Sequence, residues 1–176
     1  MNGGHASIAY PAALLGIHYV HEVMANSLIS EYLKKLVQEE IIPTLDTVPG
    51  VDFNQYFDLI ESRFANPEVR DTVSRLRQDA SNRLPKFILP IIQANLQQGN
   101  DCKGLALVIA LWCRLCAAGG DPNSGIVIED QPSAFLQMND IFGTLGDKEV
   151  FVQHFLNWLK MLWDEGTSST LKQYLY

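Results

Sequence analysis

The fold class is decided by one stretch of the sequence, residues 103–118, which reads KGLALVIALWCRLCAA. It is apolar on nearly all sides of a helix, a pattern typical of the helix at the buried centre of a bundle. Gly119 and Gly120 follow it and end it. Its longest apolar run, Leu105 to Cys113, has nine residues, whereas a membrane-spanning helix needs about 20. We therefore predict a soluble domain built around a buried helix.

Helical periodicity, interrupted by prolines and glycines, continues on both sides of this segment. Asn26 or Ser27, Asp52 and Asn66 precede helical patterns and are suitable N-caps, as is Ser168 for the last helix. The predicted helices cover residues 5–24, 27–42, 53–64, 67–79, 85–98, 103–118 and 147–163, with a last short helix ending near Tyr174. The sequence thus predicts an all-α, multi-helix domain of seven to nine helices.

One clear loop interrupts the helical pattern at residues 121–131, which contain Pro, Asn, Ser and Gly early in the segment. Within it, Gly125–Ile128 is a candidate short strand, and a weak helix is expected over Pro132–Phe142. No repeat or linker divides the 176 residues. We therefore expect a single domain over residues 1–176.

The composition excludes several classes of function. A net charge of −7 and a pI near 5.0 argue against a surface that binds nucleic-acid phosphates and against binding to anionic membranes, since both need clustered Lys and Arg. Cys102, Cys113 and Cys116 are too few for a disulfide framework and lie in or beside the apolar segment. They predict buried, reduced thiols and a cytoplasmic location.

Motifs for metal or nucleotide binding are weak. The CxxC spacing of Cys113 and Cys116 lies within the buried helix, with no second pair, and favours structural thiols over a metal or redox site. His18 and His21, with Glu22, could bind a metal. However, the two histidines are three residues apart, not four as in a zincin helix, and no further ligand is evident, so a structural role is favoured. No glycine-rich phosphate loop occurs. We predict no metal site and no nucleotide site in this chain.

Two polar clusters remain as candidates for chemistry. Asn2 and His5 stand three residues apart at the start of a helix, and their side chains can converge on one oxygen atom. By themselves they equally suit a frayed terminus. The second cluster is Arg75, Arg83 and Lys86, which suits either a solvated basic face or a site for polyol hydroxyl groups.

Several blocks, in order along about the first 120 residues, resemble one family. They are Asn2–Pro11, Ile17–Glu22, Glu40–Thr44, Arg63–Pro67, Asp79–Phe87 and Ala110–Arg114. The chain resembles the C-terminal domain of mannitol 2-dehydrogenases and of the related sorbitol and arabinitol dehydrogenases, the polyol-specific long-chain family. Fructuronate and tagaturonate reductases are more distant in resemblance.

The resemblance implies a metal-independent oxidation of a polyol such as mannitol to a ketose such as fructose, with NAD or NADP held by an N-terminal Rossmann-type domain that this chain lacks. The family motif is a lysine, four residues, an asparagine, two residues and a histidine. Asn2 and His5 match its second half, and the lysine, the general base, would fall before Met1. By resemblance, Asn2 stabilises the alkoxide-like oxygen, His5 orients the substrate, and Arg75, Arg83 and Lys86 contact the polyol.

We therefore expect the substrate-side domain of a polyol dehydrogenase, inactive alone and with Asn2 and His5 poorly ordered in isolation. A different class also fits, namely a stand-alone helical module that binds a protein or self-associates through the face left by the missing domain. A third reading is that Met1 is an introduced start on a domain cut from a longer gene. The DNA upstream of Met1 discriminates among them.

Overall fold

The computed structural model describes residues 2–128 and 141–176, and these residues are helical without any strand. This confirms the all-α prediction. The described α-helices, numbered here in chain order, are α1 Asn2–Leu14, α2 Val20–Ala25, α3 Ser27–Leu36, α4 Phe53–Phe64, α5 Val73–Arg77, α6 Ala80–Arg83, α7 Leu89–Gln97, α8 Lys103–Gly119, α9 Glu149–Asp164 and α10 Thr167–Leu175. Shorter turns are the π-helical Val37–Ile41 and Leu84–Ile88, the 3-10 turns Ile42–Thr44 and Pro67–Val69, and the helical residues 141–145.

Helix α8 lies at the centre of the domain, as its sequence predicts. Every side chain from Leu105 to Trp112 is at most 1% exposed, because α1, α9 and α10 pack around it. Its first turn is packed so closely that a Cβ atom on Gly104 would lie 2.7 Å from Leu36 Cδ1 and closer still to the Tyr174 hydroxyl. Only glycine fits there without displacing a neighbour.

A buried carboxylate holds the N-terminal end of α8. The π-helical turn after α3 places Glu40 so that its two oxygens accept the N–H groups of Gly104 at 2.6 Å and Leu105 at 2.8 Å. The fully buried Asn95 donates to the Glu40 carbonyl at 2.7 Å. Burial raises the pKa of Glu40 to about 7, against the lowering effect of its two backbone hydrogen bonds. We refer to Glu40 and the first turn of α8 as the α8 junction.

Three predicted N-caps are confirmed. Asn26 accepts the N–H of Leu28 at 3.1 Å, Asp52 accepts that of Asn54 at 2.8 Å, and Asn66 accepts that of Glu68 at 3.0 Å. Ser168 was expected to cap the last helix, and this prediction is wrong. The helix begins at Thr167, after Gly166 with φ +82°, and that cap position makes no side-chain hydrogen bond.

Two long helices predicted from periodicity are divided in the structure. The predicted helix over 5–24 is broken after Leu14, where Gly16 adopts φ +71°. The predicted helix over 67–79 is wrong as a single element, because Pro67–Val69 is one 3-10 turn and Arg70 turns the chain with φ 50°. A new helix then begins after Thr72. These divisions give ten α-helical segments among the described residues, where seven to nine were expected.

Further differences concern the second half of the chain. Gly125–Ile128 forms no strand, which corrects the prediction there. Most of the weak helix predicted over Pro132–Phe142 falls on 129–140, outside the described residues, while residues 141–145 are helical. The predicted helix over 85–98 is preceded by α6 and runs through the π-helical turn Leu84–Ile88 into α7. No helix in the described part is long and apolar enough to span a bilayer.

Candidate functional site

A short antiparallel contact joins the starts of α2 and α5 and brings distant parts of the sequence together. Tyr19 and Thr72 form an isolated β-bridge. On either side of it, the Val20 N–H donates to the Asp71 carbonyl at 3.0 Å and the Val73 N–H donates to the His18 carbonyl at 2.9 Å. Thr72 also caps α5, accepting the Arg75 N–H at 3.2 Å. The side chains that follow each segment are therefore held at one place.

These segments, with the first turns of α1 and the end of α4, enclose a cavity of about 400 Å³. We call it the His5 pocket. It has apolar walls and a group of polar and charged side chains, the composition expected of a small-molecule site. Its lining residues are His5, Val20, His21, Ile60, Arg63, Phe64, Asn66, Val69, Asp71 and Arg75.

His5 lies half-buried against an aromatic ring in this pocket. Its imidazole packs on Phe64 with ring centroids 4.6 Å apart and an interplanar angle of 39°. Burial lowers the pKa of His5 to about 4, aided by the N-terminal charge, Arg75 and Arg83, and opposed by Asp71. The ring is therefore neutral at pH 7, with one nitrogen that donates and one that accepts a hydrogen bond. Such a group suits an uncharged hydroxyl, which also donates and accepts.

Arg75 is fixed in the pocket by a carboxylate. Its Nε–H donates to Asp71 Oδ1 at 2.5 Å, and its Nη2 forms an ion pair with Asp71 Oδ2. The hydrogen bond from Arg75 holds the pKa of Asp71 below its usual range. Asp71 is much less exposed than Arg75, at 17% against 61% of the side chain. Asp71 thus holds the Arg75 side chain in place, and the guanidinium of Arg75 presents N–H groups at the pocket.

The other two basic residues predicted for substrate contact do not line the His5 pocket. Arg83 Nη1 donates to the Leu76 carbonyl at 2.9 Å, although its charge is felt at His5. Lys86 is exposed, with Nζ 5.4 Å from the centre of the Phe87 ring. The structure therefore brings Arg75 together with His5, and substrate contact by Arg83 and Lys86 stays a prediction.

Asn2 is the first residue of α1. Its side chain lies outside what the structure describes. The convergence of Asn2 with His5 therefore stays a prediction from their spacing. The expectation that they are poorly ordered in the isolated chain stays a prediction.

Four polar residues of the pocket were not singled out from sequence as substrate contacts. They are His21, Arg63, Asn66 and Asp71. The first three lie in blocks that carry the family resemblance, whereas nothing in the sequence pointed to Asp71. The structure also bears on the metal hypothesis for His18 and His21. Within residues 2–128 and 141–176, no three His, Cys, Asp or Glu side chains form a group suited to a metal ion.

A second cavity lies on the other side of the first turn of α1, lined by Gly3 and Gly4 and by side chains of α3, α4 and α7. Its volume is about 460 Å³, and Tyr56 is the one polar side chain among its lining residues. It lacks the donors and acceptors that would orient a polyol. The His5 pocket is the better candidate for chemistry, and we call the second cavity the apolar groove.

None of the three cysteines forms a disulfide. Cys102 is buried as predicted, whereas Cys113 and Cys116 are only partly buried, which corrects the expectation that all three are buried. Burial raises the pKa of both Cys102 and Cys113 to about 12. Thiols that remain protonated at neutral pH are poor nucleophiles and poor metal ligands. This agrees with the structural role predicted for the CxxC spacing.

Comparison with known proteins identifies relatives along the whole chain. The family model described as the mannitol dehydrogenase C-terminal domain matches residues 1–163. A mannitol 2-dehydrogenase of Cereibacter sphaeroides is 41% identical, over 99% of this chain and 40% of its own length. A mannitol 2-dehydrogenase of Aspergillus niger is 30% identical, over 99% of this chain and 39% of its own. The chain thus spans about two fifths of the length of these relatives.

Solved structures share the fold. The Pseudomonas fluorescens mannitol 2-dehydrogenase, in a ternary complex with NAD and D-mannitol, superposes with a TM-score of 0.83 and 29% identity, over 99% of this chain and 39% of that one. A D-sorbitol dehydrogenase in substrate-free form superposes with a TM-score of 0.84 over 97% of this chain and 38% of its own, and at 21% identity it shows the fold alone.

Proposed function

Because the chain belongs to the mannitol dehydrogenase C-terminal domain family, we propose that it is the substrate-side domain of an NAD(P)-dependent polyol dehydrogenase. The proposed reaction oxidises a sugar alcohol such as mannitol to a ketose such as fructose, without a metal ion. The observation that supports it most directly is the convergence of His5 with the Asp71–Arg75 pair in one pocket. The cysteines, which form no disulfide, favour a cytoplasmic location for this enzyme.

The nucleotide accepts hydride from the alcohol carbon when it is bound. Dinucleotides bind at the carboxyl ends of parallel strands beside a glycine-rich turn, and the described residues of this chain form helices only. They do not fit the nucleotide. We therefore assign the cofactor to an N-terminal Rossmann-type domain and attribute to this chain only substrate binding and orientation.

Within the pocket, each residue has a separable task. The neutral imidazole of His5 hydrogen-bonds a substrate hydroxyl and fixes the orientation of the reacting carbon. The guanidinium of Arg75 donates to further hydroxyl oxygens. Asn2 donates its amide N–H to the oxygen that gains negative charge as its proton leaves. The proton itself passes to a lysine that the family motif places five residues before Asn2.

The proposal is tested with a chimera in which this chain replaces the matching segment of the Cereibacter sphaeroides mannitol 2-dehydrogenase. We expect the chimera to reduce NAD with mannitol, sorbitol or arabinitol, measured as NADH absorbance, and the isolated chain to be inactive. His5→Ala in the chimera should lower kcat/KM at least about 100-fold, because orientation of the substrate is lost. His18→Ala is the matched control, since His18 is exposed and does not line the pocket.

Two results would contradict this proposal. A correctly folded chimera without activity on any polyol would remove the assigned substrate class. Robust turnover by the isolated chain would show that it carries its own nucleotide site and base.

One observation favours the second candidate function, a helical module that binds a protein or self-associates. Residues 45–59 expose several large apolar side chains, namely Leu45, Val48, Val51, Tyr56 and Leu59, each between 43% and 56% exposed. Leu45 and Tyr56 line the apolar groove. Apolar surface of this kind marks interfaces. Sizing chromatography of the chain with and without an added nucleotide-binding domain distinguishes the two. A stable homo-oligomer that ignores the added domain supports the module.

A further inference from the structure

We infer that Asp71 is a positioning residue of the polyol site, which holds the Arg75 guanidinium in the His5 pocket so that its remaining N–H groups meet the substrate. The inference rests on the proposed function. Neither the sequence motifs nor the basic cluster Arg75, Arg83 and Lys86 point to an acidic residue with this task.

The geometry around Asp71 supports this role from three sides. Its carbonyl accepts the Val20 N–H at 3.0 Å, which fixes its backbone to the start of α2. Its Oδ1 accepts the Thr72 N–H at 2.9 Å, which fixes the carboxylate relative to α5. The same carboxylate receives Nε–H and Nη2 of Arg75. Asp71 is thus anchored by the backbone and in turn anchors the arginine.

The number of donors on Arg75 explains what the anchoring achieves. A guanidinium carries five N–H donors in a fixed, planar arrangement. The Asp71 carboxylate accepts the Nε–H and one N–H of Nη2. No other acceptor for the Arg75 side chain occurs among residues 2–128 and 141–176. The free edge is therefore available to hydroxyl oxygens while the side chain is held. An exposed arginine without such an anchor would have to be ordered each time a substrate binds.

Asp71 also neutralises the charge of Arg75 in the pocket. The substrate class is uncharged, so the pocket needs hydrogen-bond donors rather than a net positive charge. The carboxylate compensates the Arg75 charge within the same pocket, where Arg63 and His21 also lie. The pair thus offers directional donors without a net charge.

The test is NMR of the ¹⁵N-labelled 176-residue chain, observing the Arg75 Nε–H signal, assigned with Arg75→Lys, and titrating with mannitol. In the wild type we expect the Arg75 Nε–H to be ordered and protected from exchange with solvent. Asp71→Asn should abolish that protection and weaken polyol-induced shifts at His5 and Arg75 about tenfold, the loss expected when one long side chain must be ordered on binding. Asp71→Glu keeps the charge and should partly restore both.

The matched control is Asp164→Asn, which removes a carboxylate from the exposed i,i+4 pair with Lys160 on α9. It should leave both readouts unchanged. An Arg75 Nε–H that stays protected in Asp71→Asn overturns the inference, as does a mobile Arg75 with unaltered polyol binding. If the wild-type chain shows no polyol-dependent shift, it does not bind polyol without a nucleotide-binding domain; the Arg75 signal then decides whether Asp71 positions the guanidinium, and the chimera separately decides the proposed function.

Discussion

The α8 junction and the His5 pocket both lie at the N-terminal end of a helix, and each contains a titratable group whose pKa is shifted by burial. Burial raises the pKa of Glu40 to about 7 and lowers that of His5 to about 4. They differ in what their polar atoms contact. Both oxygens of Glu40 accept backbone N–H groups, whereas the His5 ring makes a stacking contact and faces a cavity. The first arrangement stabilises the fold, and the second leaves its hydrogen-bonding groups to a ligand.

The two regions also respond to pH in opposite directions. The folded pKa of Glu40 lies above its unfolded value, so its contribution to stability is fully present below about pH 4.3 and is lost as the pH rises through 7. The folded pKa of His5 lies below its unfolded value. Its contribution is present above about pH 6.5 and is lost as the pH falls through 4.

The prediction with the largest expected effect tests whether the burial of α8 is the main contribution to the stability of the fold. Trp112 lies near the middle of α8 and is 0% exposed. Trp112→Ala should lower the free energy of unfolding by about 3–5 kcal/mol, because apolar burial is lost and a cavity is left unfilled. Trp163→Ala is the control, because Trp163 is 56% exposed and packs on Arg114, a contact worth about 0.5–1 kcal/mol. Urea denaturation followed by circular dichroism measures both. Equal losses in the two variants would contradict the central role of α8.

The second prediction tests Glu40 alone. In the wild type, its titration should lower the free energy of unfolding by roughly 2–3 kcal/mol between pH 5 and pH 8. Glu40→Gln removes that titration, although it also loses one acceptor for the α8 N–H groups, so stability should no longer fall with rising pH. The exposed neighbour variant Glu39→Gln should keep most of the wild-type fall, because Glu39 makes only a minor contribution to the raised pKa of Glu40. An unchanged pH dependence in Glu40→Gln would show that the buried carboxylate does not titrate in this range.

The smallest effect belongs to His5, which is only half-buried. His5→Asn should remove a rise in stability of about 1 kcal/mol between pH 5 and pH 8, a value reduced for partial exposure to solvent. The fall in stability over this range should therefore become steeper than in the wild type. Because Glu40 is not among the causes of the His5 pKa shift, nor His5 among those of the Glu40 shift, the changes in Glu40→Gln and His5→Asn should add in the double variant. Strong non-additivity would show that the junction and the pocket are coupled.

The same contrast explains which parts of the fold were predictable. Residues 103–118 and 147–163 are long periodic segments, and the structure reproduces both within a few residues as Lys103–Gly119 and Glu149–Asp164. Residues 67–79 were predicted as one helix, yet the chain turns at Arg70 and Thr72 bridges to Tyr19. That bridge joins segments more than 50 residues apart, and local periodicity carries no information on such a contact.

The site was predictable to a similar extent. The sequence singled out His5 and Arg75 as candidates through its resemblance to one family, and it determined the all-α class, because an apolar segment of this length must be buried by other helices. Only the tertiary structure showed that His5 and Arg75 share a pocket while Arg83 and Lys86 lie outside it. Only the tertiary structure, too, gave Asp71 and Glu40 their partners. Burial and carboxylate partners depend on which helices meet, and free energies of packing over the whole chain decide that.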